Sequence, residues 1–244
     1  MSKVVLVTGS SRGIGKATIV EFASKGYDVV INYVKNHEEA KKTEDEIKSK
    51  YDVKTLIVEA DVSDEEQVDS MIEKIIAEVG RIDVLVNNAG IVYDVEFEER
   101  TVLEWQETLN VNLIGPFLVS KYASKYMLEN KKGKIINISS TNGINTCYPT
   151  SIDYDASKAG LISLTHNLAL QFAPYISVNA VAPGWVNTEM NKLLDKDFLD
   201  EEKEKICLKR FAEPEEIAKL VVFLASDDAD FINGEVIKMD RGVL

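Results

Sequence analysis

The amino-acid sequence predicts an α/β fold: one doubly wound parallel sheet of about seven strands with helices on both faces. Short β-branched and apolar runs alternate with longer amphipathic segments over all 244 residues. Such alternation is typical of βαβ units, whose crossover helices cover both faces of a parallel sheet. We find no internal repeat, low-complexity stretch or Pro/Gly/Ser-rich linker. We therefore expect a single domain over residues 1–244.

The predicted strands share a short apolar run that is bounded by polar or turn-forming residues. They are Val4–Val7, Val29–Asn32, Lys54–Val58, Val84–Val86, Lys134–Ile138, Ser177–Val181 and Val236–Met239.

Helices are predicted between these strands from apolar residues at steps of three and four, as in the stripe from Val68 to Val79. Ser63 and Glu66 have the spacing of a capping box, which predicts Ser63 as the N-cap of that helix. Pro214 is expected at the first position of a later helix. The segment Asn187–Glu213 is long, charged and weakly patterned, and we interpret it as a substrate lid over residues 187–213.

The composition excludes several classes of protein. Hydrophobic residues make up 45% of the chain and charged residues 28%, as in an ordinary globular protein. The net charge of −13 is dispersed over helical segments and would repel nucleic acid. The apolar runs are too short to span a membrane, and the N-terminus lacks a signal-peptide pattern, so we expect a cytoplasmic protein without a membrane partner.

Cysteine and histidine are too sparse for a disulfide framework or a metal site. The chain has two cysteines, Cys147 and Cys207, and two histidines, His37 and His166. None of them forms a close pair with metal-ligand spacing, so we expect free thiols and no metal.

A glycine-rich turn follows the first predicted strand and opens the first helix. Its sequence runs from Thr8 to Gly15, with glycine at positions 9, 13 and 15. Glycines let the backbone approach a pyrophosphate closely, and the helix N-terminus offers free N–H groups to it. The spacing departs from the usual dinucleotide fingerprint, so an ordinary Gly/Ser-rich turn is the alternative.

Asn87-Asn88-Ala89-Gly90 ends the fourth predicted strand. Ligands of open α/β sheets bind beyond the carboxyl ends of the strands, and small residues there leave room for a flat ring. A plain strand-ending turn would have the same composition.

Tyr154 and Lys158 carry the predicted proton chemistry. Their spacing puts both on the same face of one helix. A phenol has a pKa of about 10, and a neighbouring ammonium favours its ionised form. We therefore expect Lys158 to lower the pKa of Tyr154. Taken alone, Tyr and Lys four residues apart also arise by chance.

Together, and in this order, these motifs resemble the short-chain dehydrogenase/reductase family, and the resemblance extends from Val4 to about Asp240. It implies a Rossmann-type fold and a nicotinamide-dependent oxidoreductase acting on carbonyl or alcohol groups. It also implies a catalytic tetrad of Asn112, Ser140, Tyr154 and Lys158, with Ser139 as the alternative serine. The implied cofactor-binding residues are Gly9, Ser11, Arg12, Gly13, Ile14, Gly15, Asp61, Val62, Asn88, Ala89, Gly90, Tyr154, Lys158, Pro183, Gly184, Val186 and Thr188.

The resemblance also implies a role for each member of the tetrad. Tyr154 would donate a proton to the carbonyl oxygen as hydride reaches the carbon. Lys158 would tune Tyr154 and bind the nicotinamide ribose, while Ser140 would polarise the carbonyl. Asn112 would hold a water in a proton relay.

NADP(H) is preferred over NAD(H). An acid at the end of the second strand would bind a ribose 2′-hydroxyl, but no acid occurs there before Glu38. Arg12, and with it Lys35, could pair with a 2′-phosphate. Asp61 and Val62 match the family position beside the adenine ring, although Asp61 could instead cap a helix.

Within the family the chain is most similar to 3-oxoacyl-(acyl-carrier-protein) reductases, on stretches such as Arg210–Ala218. That similarity implies reduction of a 3-oxoacyl thioester, with acyl carrier protein as a partner. In this chain Lys131 and Lys132 are the basic residues expected to dock it. The alternatives are reduction of a free ketone, sugar or steroid, and a non-catalytic dinucleotide sensor or scaffold. A homotetramer is also implied, packed through the helices near Val102–Leu128 and Tyr154–Phe172 and through the last strand.

Overall fold

Seven parallel strands form the centre of the computed structural model, which describes residues 2–189, 191, 194–240 and 242. The strands are β1 (Val4–Val7), β2 (Asp28–Tyr33), β3 (Thr55–Glu59), β4 (Val84–Asn87), β5 (Gly133–Ile138), β6 (Ile176–Pro183) and β7 (Val236–Met239). Their order in the sheet is β3-β2-β1-β4-β5-β6-β7, and every neighbouring pair is parallel. The predicted strands are confirmed, with shifts of at most two residues at their ends.

Eight α-helices in the described part of the chain connect or flank the strands. They are α1 (Gly13–Ser24), α2 (His37–Lys50), α3 (Glu65–Val79), α4 (Val102–Leu109), α5 (Gly115–Glu129), α6 (Ile152–Gln171), α7 (Lys196–Lys205) and α8 (Pro214–Ala225). A short π-helix, Asn110–Ile114, joins α4 to α5.

The sheet is apolar on both faces because helices cover both, and successive strand residues point to opposite sides. In β1, Val5 and Val7 belong to the core beneath α1, α2 and α8. Val4 and Leu6 belong to the core beneath α3 and α5. The single-domain, doubly wound α/β fold is confirmed.

The start of α3 differs from the expectation. Its N-cap is Asp64, whose carboxylate accepts the backbone N–H groups of Glu66 at 3.0 Å and Gln67 at 3.1 Å. Ser63 instead donates its hydroxyl to Asp61 at 2.7 Å, so the capping box predicted for Ser63 is wrong. Pro214 does occupy the first turn of α8, as predicted.

A buried amide pair fixes the register of β4 and β5. Asn87 lies opposite Asn137 in the ladder, and its Nδ2 donates to the Asn137 Oδ1 at 2.8 Å. Nδ2 of Asn137 donates in turn to the Thr165 hydroxyl of α6 at 2.9 Å. These side chains are buried, so a shifted register would leave them without partners.

Within the described residues, no helix is long and apolar enough to cross a membrane. The same part of the chain holds no cluster of His, Cys, Asp and Glu arranged to bind a metal. Cys147 and Cys207 are exposed free thiols.

Candidate active site

The glycine turn lies at the point where the strand order reverses, between β1, β2 and β4. Gly9 has φ +61° and Gly13 φ +56°, a conformation that glycine adopts without strain. The turn is anchored from β2 by Asn32, whose Oδ1 accepts the Gly9 N–H at 3.0 Å. Asn32 is fully buried and did not stand out in the sequence, because an asparagine inside a strand gives no motif.

Asn88 ties the end of β4 to this turn. Its Nδ2 donates to the carbonyls of Thr8 at 2.9 Å and Gly9 at 3.1 Å. A Cβ on Gly15 would lie 2.4 Å from the Gly9 oxygen and 2.5 Å from the Asn88 Nδ2. Two motifs far apart in the sequence therefore form one cradle, and Gly15 must be glycine for them to pack.

The opposite wall comes from the residues after β6. The side chain of Thr188 lies 3.8 Å from the position that a Cβ on Gly13 would take. Pro183 ends β6, and the N–H of Gly184 donates to the carbonyl of Met239 at 3.0 Å. Val186 is buried and forms an isolated bridge with Ala212.

Asp61 and Val62 follow β3. The Asp61 carboxylate accepts from the N–H of Ser63 at 2.9 Å and from its hydroxyl. Val62 is buried and packs against Gly115, where an added Cβ would lie 2.8 Å from a Val62 methyl. Asp61 therefore stabilises the turn before α3, but it does not cap the helix as the alternative expected, because the cap is Asp64.

Lys158 and Asn112 lie beside Gly90. A Cβ there would be 3.3 Å from the Asn112 Oδ1 and 3.6 Å from the Lys158 Nζ. Lys158 is buried and donates to the carbonyl of Ile138 at 2.9 Å.

Asn112 is held in place by the π-helix, a feature common at functional sites. Its side-chain amide exchanges two 2.8 Å hydrogen bonds with the backbone of Ile91 and donates to Ser157 at 3.1 Å. The amide thus fixes the chain after β4 against α6, and the water-holding role expected of Asn112 stays a prediction.

Ser140 and Tyr154 are the other two members of the predicted tetrad. The Ser140 hydroxyl donates to the Asn142 Oδ1 at 3.2 Å, and it is close enough to the Tyr154 phenol to lower that group's pKa. The alternative serine, Ser139, donates to the backbone carbonyl of Lys158 at 3.0 Å and is thereby committed to holding α6. This geometry favours Ser140 over Ser139 as the serine that faces a carbonyl.

Burial controls the electrostatics of the pair on α6. It raises the pKa of Tyr154 to about 12, and the hydrogen bond from Ser140 acts in the opposite direction. Burial also lowers the pKa of Lys158 to about 8. Instead of the lowered pKa expected for Tyr154, the structure holds a protonated phenol beside a weakly acidic ammonium.

A buried ion pair includes Asp153, which lies next to Tyr154 in the sequence. Nη1 of Arg100 is 2.8 Å from Oδ1 of Asp153, and the two side chains are 1% and 0% exposed. The Nη2 group of Arg100 donates to the carbonyls of Tyr93, Val95 and Thr150. Arg100 therefore joins the loop after β4 and the loop after β5 to the start of α6. No sequence motif indicated this pair.

Three further side chains missing from the predicted site connect the loop after β5 to α7. They are Tyr148, Trp185 and Glu202, joined by hydrogen bonds of 2.6 to 3.0 Å. The predicted lid, residues 187–213, contains α7; of its residues, Met190, Lys192 and Leu193 lie outside those that the structure describes.

The lysines expected to dock a carrier protein lie elsewhere. Lys131 and Lys132 precede β5, and Lys134 is the second residue of that strand. The site lies beyond the other end of β5. Lys132 is 3.5 Å from Asp227, and Lys134 pairs with Asp230 at 2.7 Å. Docking next to the site through Lys131 and Lys132 is therefore wrong, because a sequence position near Ser140 is separated from it by the length of a strand.

The fold and this arrangement of residues define a dinucleotide-dependent oxidoreductase. A family model described as enoyl-(acyl carrier protein) reductase matches residues 9–244. The chain belongs to the short-chain dehydrogenase/reductase family.

Relatives match over their full lengths. A 3-oxoacyl-(acyl-carrier-protein) reductase of Aquifex aeolicus is 44% identical over 242 residues, 99% of this chain and 97% of the relative. The reductase of the same name from Thermotoga maritima is 39% identical, over 99% of this chain and 98% of its own.

Solved structures agree with the fold. A dehydrogenase/reductase of Sinorhizobium meliloti superposes with a TM-score of 0.93 at 34% identity, covering 99% of this chain and 95% of that one. A gluconate 5-dehydrogenase of Burkholderia cenocepacia, in complex with NADP and tartrate, has a TM-score of 0.92 at 32% identity with the same coverage.

Replacing Arg100 by Met should destabilise the protein strongly. Removing one partner of a buried ion pair leaves the other charge unpaired, at a cost of about 3–5 kcal/mol. The double variant Arg100→Met/Asp153→Asn should recover a large part of this loss, which urea unfolding of the two single variants and the double variant measures. Additive losses would show that the two side chains are not coupled.

Proposed function

We propose that the protein is an NADPH-dependent carbonyl reductase that converts a 3-oxoacyl thioester to the 3-hydroxyacyl form. The observation that carries this proposal is that Lys158 and Asn112 lie close to Gly90, just after β4. Asn88, at the same end of β4, is hydrogen-bonded to the glycine turn. Proton chemistry and a pyrophosphate cradle are thus adjacent. Such adjacency is what hydride transfer to a carbonyl needs.

The cradle fits a dinucleotide. Gly9, Gly13 and Gly15 leave the backbone bare at the N-terminus of α1, where N–H groups and the helix dipole favour a pyrophosphate. Ser11, Arg12 and Ile14 would complete this turn. Ala89, Gly90, Pro183, Gly184, Val186 and Thr188 would enclose the nicotinamide half, and Asp61 and Val62 the adenine. When bound, the nicotinamide supplies the hydride.

Tyr154 supplies the proton. At neutral pH a phenol of pKa about 12 is protonated, so it can donate to the carbonyl oxygen as the carbon receives hydride. The Ser140 hydroxyl would turn its one proton from Asn142 to the same carbonyl oxygen and disperse its developing charge. The Lys158 ammonium stabilises the phenolate that is left, and Tyr154 then regains a proton from solvent through Lys158.

The substrate class rests on relatives named 3-oxoacyl-(acyl-carrier-protein) reductase that match along the whole chain. An acyl carrier protein is the partner this implies, through a surface other than Lys131 and Lys132. Gluconate dehydrogenases among the solved structures favour a second candidate, reduction of a sugar-acid ketone. A non-catalytic sensor is disfavoured because sensing needs no buried Tyr–Lys pair.

We also propose a homotetramer located in the cytoplasm. Val102, Leu103 and Phe117 leave large apolar surfaces exposed on α4 and α5, with exposed fractions of 71%, 76% and 45%. Exposed apolar surface of this kind marks an interaction site. It coincides with the helices expected to pack against a second copy of the chain.

Tyr154→Phe should lower carbonyl reduction by about 10²- to 10⁴-fold, the usual contribution of a general acid. NADPH binding, measured by fluorescence titration, should not change. The assay follows NADPH oxidation with an acetoacetyl thioester, with gluconate-derived ketones and with simple ketones. Tyr51→Phe, far from the site, is the matched control. An active Tyr154→Phe variant would remove the enzyme proposal's main support.

The pH dependence of kcat/KM for reduction should reflect Lys158. Its pKa is lowered to about 8, so the ammonium is present below that pH and lost above it. We expect a plateau at pH 6–7.5 and a fall as the pH rises through about 8. The Lys158→Met variant should have a low kcat/KM over the whole pH range and should not show the fall near pH 8. A wild-type profile that rises through pH 8 would contradict the role of the ammonium.

Arg12→Met should weaken NADPH binding by about 10- to 100-fold, since a hydrogen bond to a charged group contributes roughly 1.5–3 kcal/mol. Arg12 is exposed at the N-cap of α1 and close enough to Glu39 of α2 to lower that carboxyl's pKa, after Lys42 as the main cause. NADH binding should be unchanged. Lys16→Met, a charge removed one turn further along α1, is the control. Equal loss for both cofactors would show that Arg12 does not recognise the 2′-phosphate.

A further inference from the structure

Helix α7 depends on two inward-facing side chains for its position. It makes few close backbone approaches to other helices or strands in the described part of the chain. Its charged residues are mostly exposed, whereas Glu202 is only 4% exposed. Phe198, one turn earlier on the same face, is half-buried. The helix is therefore held by side-chain contacts rather than by packed layers.

Both of these side chains contact Trp185, which follows the Pro183-Gly184 turn. The Trp185 and Phe198 rings meet edge-on with centroids 5.9 Å apart. The indole Nε1 donates to the Glu202 Oε2 at 2.9 Å. On its other side the indole stacks on Phe211 with centroids 5.4 Å apart. Trp185 is thus an anchor for α7 at the edge of the site.

Tyr148 brings the loop after β5 into the same cluster. Its hydroxyl donates to the Glu202 Oε2 at 2.6 Å and accepts from the Trp185 Nε1 at 3.0 Å. Its backbone N–H donates to Asp155 at 3.2 Å, the residue after Tyr154. A chain of contacts therefore runs from α7 to the residues around the catalytic tyrosine.

The Glu202 carboxylate needs these donors. Burial alone would raise its pKa, but hydrogen bonds from Lys205, Tyr148 and Trp185 outweigh burial and lower the pKa overall. The pKa of Tyr148 is raised, by burial first and by Glu202 next, so the phenol keeps the proton that it donates. Loss of one of the three side chains would leave the polar groups of the other two without a partner. We therefore expect the hydrogen bonds among Tyr148, Trp185 and Glu202 to form and break together.

We propose that Glu202 is a positioning residue that latches α7 onto Tyr148 and Trp185, and so holds this helix over the substrate side of Tyr154. This inference rests on the proposed function, because the covered residue is the proposed proton donor. The latch would act on the carbonyl substrate, because Tyr148 is hydrogen-bonded to Asp155, the neighbour of Tyr154. The residues proposed to bind the dinucleotide do not include Glu202 or Tyr148, so its binding should not need the latch.

Tryptophan fluorescence tests the latch without an activity measurement. The chain has two tryptophans, Trp105 and Trp185, so a Trp105→Phe background makes Trp185 the sole reporter. Glu202→Leu and Tyr148→Phe should each shift its emission to the red and raise its quenching by acrylamide at least twofold. Glu201→Leu, its exposed neighbour on α7, should leave both unchanged. Identical spectra for the Glu201 and Glu202 variants would overturn the proposal.

Kinetics separate positioning from a general loss of structure. Glu202→Leu and Tyr148→Phe should raise KM for the carbonyl substrate about tenfold, as expected for a lost hydrogen bond to a charged group, with kcat and the Kd of NADPH within about twofold of wild type. Glu202→Gln retains an acceptor oxygen for Tyr148 and Trp185 and should restore most of the KM. A fall in kcat with KM unchanged would refute the latch.

The two proposals can fail separately. If no carbonyl is reduced but the fluorescence of Trp185 responds as described, the latch stands and the proposed reaction fails. If carbonyls are reduced and neither fluorescence nor KM responds to Glu202→Leu and Tyr148→Phe, the reaction stands and the latch fails.

Discussion

The amide pair between Asn87 and Asn137 sets the geometry on which the site depends. By fixing β4 against β5, it brings two strand ends level. From these ends Asn88 contacts the glycine turn after β1, and the carbonyl of Ile138 accepts a hydrogen bond from the Lys158 ammonium. A one-residue slip of a strand would turn each of these groups to the opposite face. The chemistry of the molecule thus rests on a polar contact placed beneath it, inside the sheet.

Most of the fold could be predicted from the sequence because strands and helices are recognised from patterns of neighbouring residues. Apolar runs and helical stripes identified the strands, and their alternation identified the parallel sheet. The glycine turn, the Asn88 motif and the Tyr154–Lys158 pair were recognisable because their residues are close in the chain. Asp64 replaced Ser63 as the cap of α3 because two adjacent polar residues satisfy the same pattern, and only backbone geometry decides between them.

The rest of the site could not be predicted because its contacts join residues far apart in the sequence. No local pattern marks the ion pair of Arg100 with Asp153 or the hydrogen bond of Tyr148 with Glu202. Folding brings these residues together and buries them. The misplaced docking lysines illustrate the same limit. Lys132 is eight positions before Ser140, yet the extended strand β5 separates them, so that they lie at opposite ends of this strand.

The loop between Ser140 and Tyr154 is held at two places. Arg100 binds the carbonyl of Thr150, while Tyr148 is bound to Glu202. Adding or removing one residue here would displace at least one of these anchors. This loop is therefore a poor place for length variation during evolution or for loop grafting. Substrate range should be easier to change by exchanging side chains at constant length.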